Sequence, residues 1–145
     1  MNKGFAGIFE TDSVLKTVVL CVLTIGSHLI YKLYRFTSQI NLHTELKIPN
    51  LFITTTIVLF IISLGSLIYG LANYHDLAIL KSSIGIHAIS SAFDVTWIVM
   101  VRNRINLIAD SNRGDKLWLN PFITSIFHVI YIQHKINQGL AKNAI

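Results

Sequence analysis

The sequence predicts an all-α membrane protein of one domain, covering residues 1–145, with four hydrophobic helical segments. Of its 145 residues, 52% are hydrophobic and only 13% are charged, and the mean hydropathy is +0.58. Soluble domains carry about 25% charged residues, so this chain has too few ionic groups to cover a water-facing surface. The apolar segments lie at about 14–34, 51–72, 84–101 and 118–133. This composition excludes a disordered tail and a disulfide scaffold and argues against a free-standing soluble domain.

The two middle segments are predicted to cross the bilayer. Residues 51–72 contain no charge, and about 20 helical residues cover the ~30 Å of hydrocarbon. Residues 84–101 end in a basic stop at residues 102–104. Ser66 and Gly70 form a small-xxx-small pair, which favours close helix packing.

The two outer segments are predicted either to span or to re-enter. Their apolar runs, 17–31 and 119–132, have a length that is more typical of re-entrant than of spanning segments. If all four segments cross, five Lys and Arg residues face seven; if only the middle two cross, eleven of the twelve share one side and only Lys81 lies opposite. Because Lys and Arg in short loops mark the cytoplasmic side, the charge favours two spans and two re-entrant hairpins. Both topologies place the termini on the same side, which we expect to be cytoplasmic.

The outer segments contain a repeat, T-x-x-x-H-[LV]-I-Y. Its shared residues are Thr24 and Tyr31 in the first copy and Thr124 and Tyr131 in the second. Each copy leads to an Ile-Asn pair, at 40–41 and 136–137, and a third pair at 105–106 follows the second middle segment. Internal duplication is a known way to build membrane bundles. We expect each asparagine to cap its helix or to bond across to a neighbour.

Three stretches also carry a family resemblance. They are LTIGSHLIYKLYRFTSQIN at 23–41, VRNRIN at 101–106 and WLNPFITSIFHVIYIQHKINQ at 118–138. They resemble an uncharacterised bacterial family of small integral-membrane proteins with a T-x-G-x-x-x-I-Y-x-L-Y first segment and a closing N-P-x-x-T-x-x-F-x-x-x-Y-x-Q-x-K-I-N motif. The resemblance implies a bacterial membrane location and brings no known reaction. We expect a multi-pass protein of the bacterial inner membrane. Here Ser27-His28 and Phe127-His128 replace more apolar or glycine-rich pairs of that family.

Polar side chains inside the apolar segments form the candidate functional site. His87, Ser91 and Asp94 share one helix face because they are spaced by four and three, and a carboxylate inside a bilayer is expected to face protein or water. His28 and His128, from the repeated segments, are the expected cross-helix partners. These residues form either a proton or cation path, since imidazole titrates near neutrality, or hydrogen-bonding contacts that fix the helix packing.

The predicted function is non-enzymatic. The sequence has no metal-ligand spacing, nucleotide-binding loop, nucleophile motif or basic-aromatic pattern, so we expect no cofactor, no metal and no nucleic-acid partner. We expect an interaction or accessory protein that contacts lipid and either self-associates or binds another membrane protein, a class that includes small immunity and exclusion proteins. The alternative is a small ion channel or proton-coupled transporter that uses the polar residues named above.

Overall fold

The computed structural model describes residues 5–142, and within that range the chain is helical without strands. A 3₁₀ turn at Phe5–Gly7 precedes the helices, which are α1 Val14–Leu23, α2 Ser27–His43, α3 Asn50–Ala72, α4 Leu77–Ile108 and α5 Pro121–Lys142. The all-α prediction is therefore confirmed over the described residues. Lys3, which the charge count includes, lies outside them.

The chain divides into two compact units. The terminal unit comprises the residues up to Ile48 and those from Ile98 onward, and the middle unit comprises Pro49–Trp97. Each unit has its own pattern of internal contacts.

The middle unit is a helical hairpin. The carboxylate of Asp76 accepts hydrogen bonds from the backbone N–H groups of Ala78 and Ile79, at 2.9 and 3.3 Å, and so caps the start of α4. At the same end Gly70 packs against Ser83, because a Cβ atom on Gly70 would lie 2.5 Å from the Ser83 hydroxyl oxygen. The predicted segment 51–72 is confirmed as α3, whereas α4 is longer than the predicted 84–101 at both ends.

Within residues 5–142, α3 and α4 are the two helices long and apolar enough to cross a membrane. Only 17% and 22% of their most apolar windows are buried. A core helix of a soluble protein buries most of its apolar side chains. The exposed aliphatic surface of this hairpin therefore favours a membrane environment.

The first outer segment reverses direction. α1 ends at Leu23, and the next residues include Ile25 and Gly26 with φ of 50° and 83°, before α2 begins. Lys32 in α2 forms an ion pair with Asp12, which precedes α1. The segment predicted at 14–34 is thus two helices that double back. The second of them, α2, continues beyond the predicted end to His43.

The last outer segment also reverses direction. α5 is interrupted at His128, whose φ of 45° and ψ of −130° are not helical. The Lys135 ammonium donates a hydrogen bond of 2.6 Å to the carbonyl of Lys116, so residues before and after the break lie side by side. Both reversals fall inside a copy of the T-x-x-x-H-[LV]-I-Y repeat, and neither outer segment forms one long helix.

Three helix segments of the terminal unit share a buried stripe with the same spacing. The stripes are Leu33, Phe36 and Ile40 in α2, Ile98, Val101 and Ile105 in α4, and Val129, Ile132 and Ile136 in α5, none of them more than 2% exposed. Steps of three and four residues put each trio on one helix face. The last member of every trio is the isoleucine of an Ile-Asn pair, so the sequence repeat marks the core of this unit.

Candidate functional site

The polar residues of the middle unit lie along the contact between α3 and α4. The Nδ1 atom of His87 lies 2.8 Å from the Ser63 hydroxyl, which joins the two helices by a hydrogen bond. Ser63 and Ser90 are buried. The Oδ1 atom of Asp94 is also buried, and it has no hydrogen-bond partner among the described residues.

The predicted site residues are distributed over both units. His87, Ser91 and Asp94 share α4 in the middle unit, as the spacing predicts. His28 and His128 belong to the terminal unit. The expected pairing of these two histidines with Asp94 stays a prediction.

The local roles of the two repeat histidines differ. His28 lies in the first turn of α2, where its backbone N–H donates to the Thr24 hydroxyl at 2.9 Å and its ring centroid is 5.6 Å from that of Tyr31. His128 is the residue at which α5 breaks. Thr124 is buried and bonds its hydroxyl to the carbonyl of Asn120 at 2.7 Å, so both repeat threonines hydrogen-bond near a chain reversal.

The outward faces of α3 and α4 carry side chains of different size. On α4, a stripe of small exposed residues runs along one face, namely Gly85, Ala88, Ala92 and Thr96. On α3, the exposed residues are mainly large and aliphatic, such as Val58, Ile61, Ile62, Ile68 and Leu71. Large side chains suit contact with lipid tails, whereas small ones allow the backbone of another helix to approach closely.

The two residues of the predicted packing pair, Ser66 and Gly70, differ in how closely they are packed. Gly70 is buried against Ser83 and has no room for a side chain. Ser66 is half-buried and lines a shallow cavity of about 350 Å³ together with Tyr69 and Ser82. Close helix approach therefore depends on the glycine.

The asparagines of the three Ile-Asn pairs make the same unusual contact. Each side-chain amide accepts a hydrogen bond from the backbone N–H of one residue and donates another to the carbonyl of that same residue; we call this contact an asparagine bridge. Asn41 bridges to Ile48 at 2.8 and 2.9 Å, Asn106 to Leu119 at 2.8 and 3.3 Å, and Asn137 to Asp12 at 3.3 and 2.7 Å. The expectation that these asparagines bond across to a neighbour is confirmed.

Each bridged residue lies immediately before the N-cap residue of a helix. Ile48 precedes Pro49 at the start of α3, Asp12 precedes the α1 cap Ser13, and Leu119 precedes Asn120, whose side chain caps α5. The bridges therefore join α2 to the start of α3, α4 to the start of α5, and α5 to the start of α1. Each bridge satisfies backbone groups that no helix uses.

A buried cation supports the last of these bridges. Lys32 is only 2% exposed, and besides its ion pair with Asp12 it donates to the Gln133 side chain at 3.1 Å. Gln133 in turn donates to Asn137 at 2.9 Å. Arg35 pairs with Glu10 and lies 3.6 Å from Asp12. The hydrogen bond from Lys32 lowers the pKa of Asp12 below its ordinary value of 3.8, so the Asp12 carboxylate is ionised at neutral pH.

Sequence reasoning missed the Lys32 cluster. Its members lie up to 125 residues apart in sequence, and the apolar run ends at Lys32, which is the usual place for a solvated lysine. The Ile-Asn repeat was the available signal, because it marked Asn137. Among the described residues, no group of three or more His, Cys, Asp or Glu side chains is arranged to hold a metal ion.

No protein-family model matches this chain, and searches of curated proteins and of solved structures return no similar protein.

Proposed function

We propose that this chain is a small integral-membrane accessory protein that self-associates through α4. The observation that carries the proposal is the stripe of Gly85, Ala88, Ala92 and Thr96, which is exposed on one face of an apolar helix. The hydrophobic effect does not drive helices together in lipid, so association depends on close backbone approach. A second copy of the same stripe is a suitable surface, because two-fold dimers bring identical patches together.

In the proposed topology, α3 and α4 cross the bilayer and the two outer segments enter it and return. The contacts of Asp12 with Lys32 and of Lys116 with Lys135 support this topology, because each joins residues on either side of a chain reversal. Neither α1 nor the interrupted α5 supplies the ~20 continuous helical residues that a span requires. The charge distribution agrees, since only Lys81 then lies opposite the other basic residues.

A pair of glycine substitutions tests self-association. Gly65 in α3 and Gly85 in α4 both have open space where a Cβ atom would lie, so leucine at either position leaves the hairpin intact. Gly85→Leu is expected to reduce the dimer fraction at least tenfold in lipid nanodiscs or by cross-linking in vesicles, whereas Gly65→Leu leaves it unchanged. A monomeric wild-type protein, or equal effects of the two substitutions, contradicts the proposal.

A second candidate function is proton or cation conduction, which the unpartnered Oδ1 atom of Asp94 favours. Flux through liposomes that contain the purified protein distinguishes the candidates. Conduction predicts flux that Asp94→Asn abolishes. The accessory function predicts no flux above that of empty liposomes, and it predicts that Asp94→Asn alters only stability or association.

A further inference from the structure

We propose that the connector between α4 and α5 binds the phosphate groups of anionic phospholipids. The proposed surface, which we call the connector face, consists of Arg102, Arg113, Lys116, Trp118 and Lys135. It lies in the terminal unit and is separate from the small-residue stripe of α4. The inference rests on the proposed function only in assuming that α4 crosses a bilayer.

The connector face carries cations that no protein carboxylate neutralises. Among the described residues, none of its four basic side chains forms an ion pair, whereas Lys32 and Arg35 in the same unit are both paired. Two carboxylates occur nearby in sequence, Asp110 and Asp115. Asp115 accepts a hydrogen bond from the backbone N–H of Asn112 at 2.6 Å. Four cations against two anions leave a net positive face.

Backbone contacts bring these cations together from three elements. The carbonyl of Lys116 accepts from Lys135 of α5 at 2.6 Å, and the carbonyl of Leu119 accepts from the Nε of Arg102 in α4 at 2.7 Å. The asparagine bridge from Asn106 holds Leu119 from the same side. Residues 116–119 therefore link the end of α4 to the second half of α5.

The length of α4 places this face at the depth of lipid headgroups. Lys81 and Arg102 are 21 residues apart on one helix, which at 1.5 Å per residue is about 31 Å. The hydrocarbon layer is about 30 Å thick. Trp118 lies beside Arg102, with 5.7 Å between the ring centroid and Cζ, and tryptophan at this depth is typical of membrane interfaces.

The exposed pair Arg113 and Lys116 is best placed to contact phosphate. Arg102 already uses its Nε and one terminal nitrogen in protein hydrogen bonds, and Lys135 uses its ammonium group. The side chains of Arg113 and Lys116 are exposed and make no such bond in the described part of the chain. A guanidinium forms two parallel hydrogen bonds with phosphate, and an ammonium adds a compact charge.

The test is lipid selectivity of the full chain reconstituted in phosphatidylcholine vesicles. Spin-labelled phosphatidylglycerol and phosphatidylcholine report how strongly each lipid associates with the protein. Wild type is expected to prefer phosphatidylglycerol several-fold, and the double variant Arg113→Gln, Lys116→Gln is expected to bring the ratio towards one, because each basic residue near a surface adds to the attraction for anionic lipid. Lys81→Gln, a change in the middle unit, serves as the matched control and keeps the preference.

Three results overturn the proposal: no preference in wild type, an unchanged preference in the double variant, or an equal loss in Lys81→Gln. Added inorganic phosphate tests for a free anion as the ligand. If it displaces phosphatidylglycerol at equal concentration, the surface is a general phosphate site and the lipid assignment is wrong. Dimerisation measured in the same vesicles separates the two proposals, because a dimeric protein without lipid preference refutes only this one. Failure to incorporate into vesicles refutes both.

Discussion

The two units of this protein hold their helices together with different kinds of interaction. In the middle unit, 49–97, only Asp76, Lys81 and Asp94 are charged, and a hydrogen bond between Ser63 and His87 joins its two helices. The terminal unit contains ion pairs, a buried lysine and three asparagine bridges.

The difference follows from where the backbone leaves the helix. Two long helices satisfy their own N–H and C=O groups, so a hairpin in lipid needs little more than close packing. The terminal unit contains several helix starts and two reversals, and each exposes backbone groups that need partners. Asparagine carries one donor and one acceptor group on the same side chain, so it satisfies both groups of a neighbouring residue at once.

The largest expected effect is the loss of the asparagine bridge that joins α5 to the start of α1. Asn137→Ala removes hydrogen bonds to Asp12 and to Gln133 and leaves the backbone N–H and C=O of Asp12 without these partners. At about 1 kcal/mol for each bond lost, the free energy of unfolding is expected to fall by about 3 kcal/mol, measured by denaturation in mixed micelles. Asn112→Ala, at an exposed position, is the control and is expected to change it by less than about 0.5 kcal/mol. Equal effects of the two substitutions contradict a specific role for the bridge.

The middle unit is expected to respond instead to changes in volume. Gly70→Ala places a methyl group 2.5 Å from the Ser83 hydroxyl, and relief of that overlap is expected to cost about 1–3 kcal/mol of unfolding free energy. Gly65→Ala meets open space, so it is expected to be neutral or to stabilise α3 slightly through helix propensity. If both variants unfold alike, the close contact near Gly70 does not hold the hairpin together.

The hydrogen bond between α3 and α4 is expected to contribute less than the glycine contact. Ser63→Ala removes the partner of His87, and side-chain hydrogen bonds between membrane helices contribute about 0.5–1.5 kcal/mol. The exposed Ser82 bonds only to its own helix, so Ser82→Ala serves as the control in the same unfolding assay. If Ser63→Ala alone lowers the free energy of unfolding by 3 kcal/mol or more, then hydrogen bonding between polar residues, and not close packing, is the main interaction that stabilises this hairpin.

The smallest expected effect is an acid dependence that comes from Asp12 in the terminal unit. Because Lys32 lowers the pKa of Asp12 in the folded protein, the ionised carboxylate stabilises the fold. This stabilisation is complete above the unfolded value of 3.8 and is lost as the pH falls below it. Unfolding midpoints measured between pH 6 and pH 2.5 are expected to drop in wild type and to drop less in Asp12→Asn. Parallel curves for the two proteins would show that Asp12 is not the responsible group.

The sequence predicted the middle unit well because its signals are local. An uncharged run of apolar residues defines α3 almost to the residue, whereas the basic stop at Arg102 does not end α4, which continues to Ile108. The face shared by His87 and Asp94 followed from helical spacing alone. The hydrogen bond between His87 and Ser63 did not follow from the spacing. Periodicity shows which residues share a helix face, but it does not show which residue of the other helix that face contacts.

The terminal unit was harder to predict because its determinants are distant in sequence. Gly26 gave a local sign of the first reversal, but His128 adopts a positive φ that nothing in its neighbourhood requires of a histidine. The Ile-Asn pairs marked the three asparagines, whereas their partners lie 7, 13 and 125 residues away. Such contacts depend on how the whole unit folds.

The central claim is that α3 and α4 cross the bilayer and that the two outer segments enter it and return. Labelling of single cysteines with a membrane-impermeant maleimide tests this topology most directly. In a Cys21→Ser background, Thr11→Cys and Arg113→Cys flank the two outer segments and His75→Cys lies in the α3–α4 turn. Two spans with re-entrant outer segments predict that Thr11→Cys and Arg113→Cys react from the same side of sealed vesicles and that His75→Cys reacts only from the other. Reaction of Thr11→Cys and Arg113→Cys from opposite sides would contradict this account.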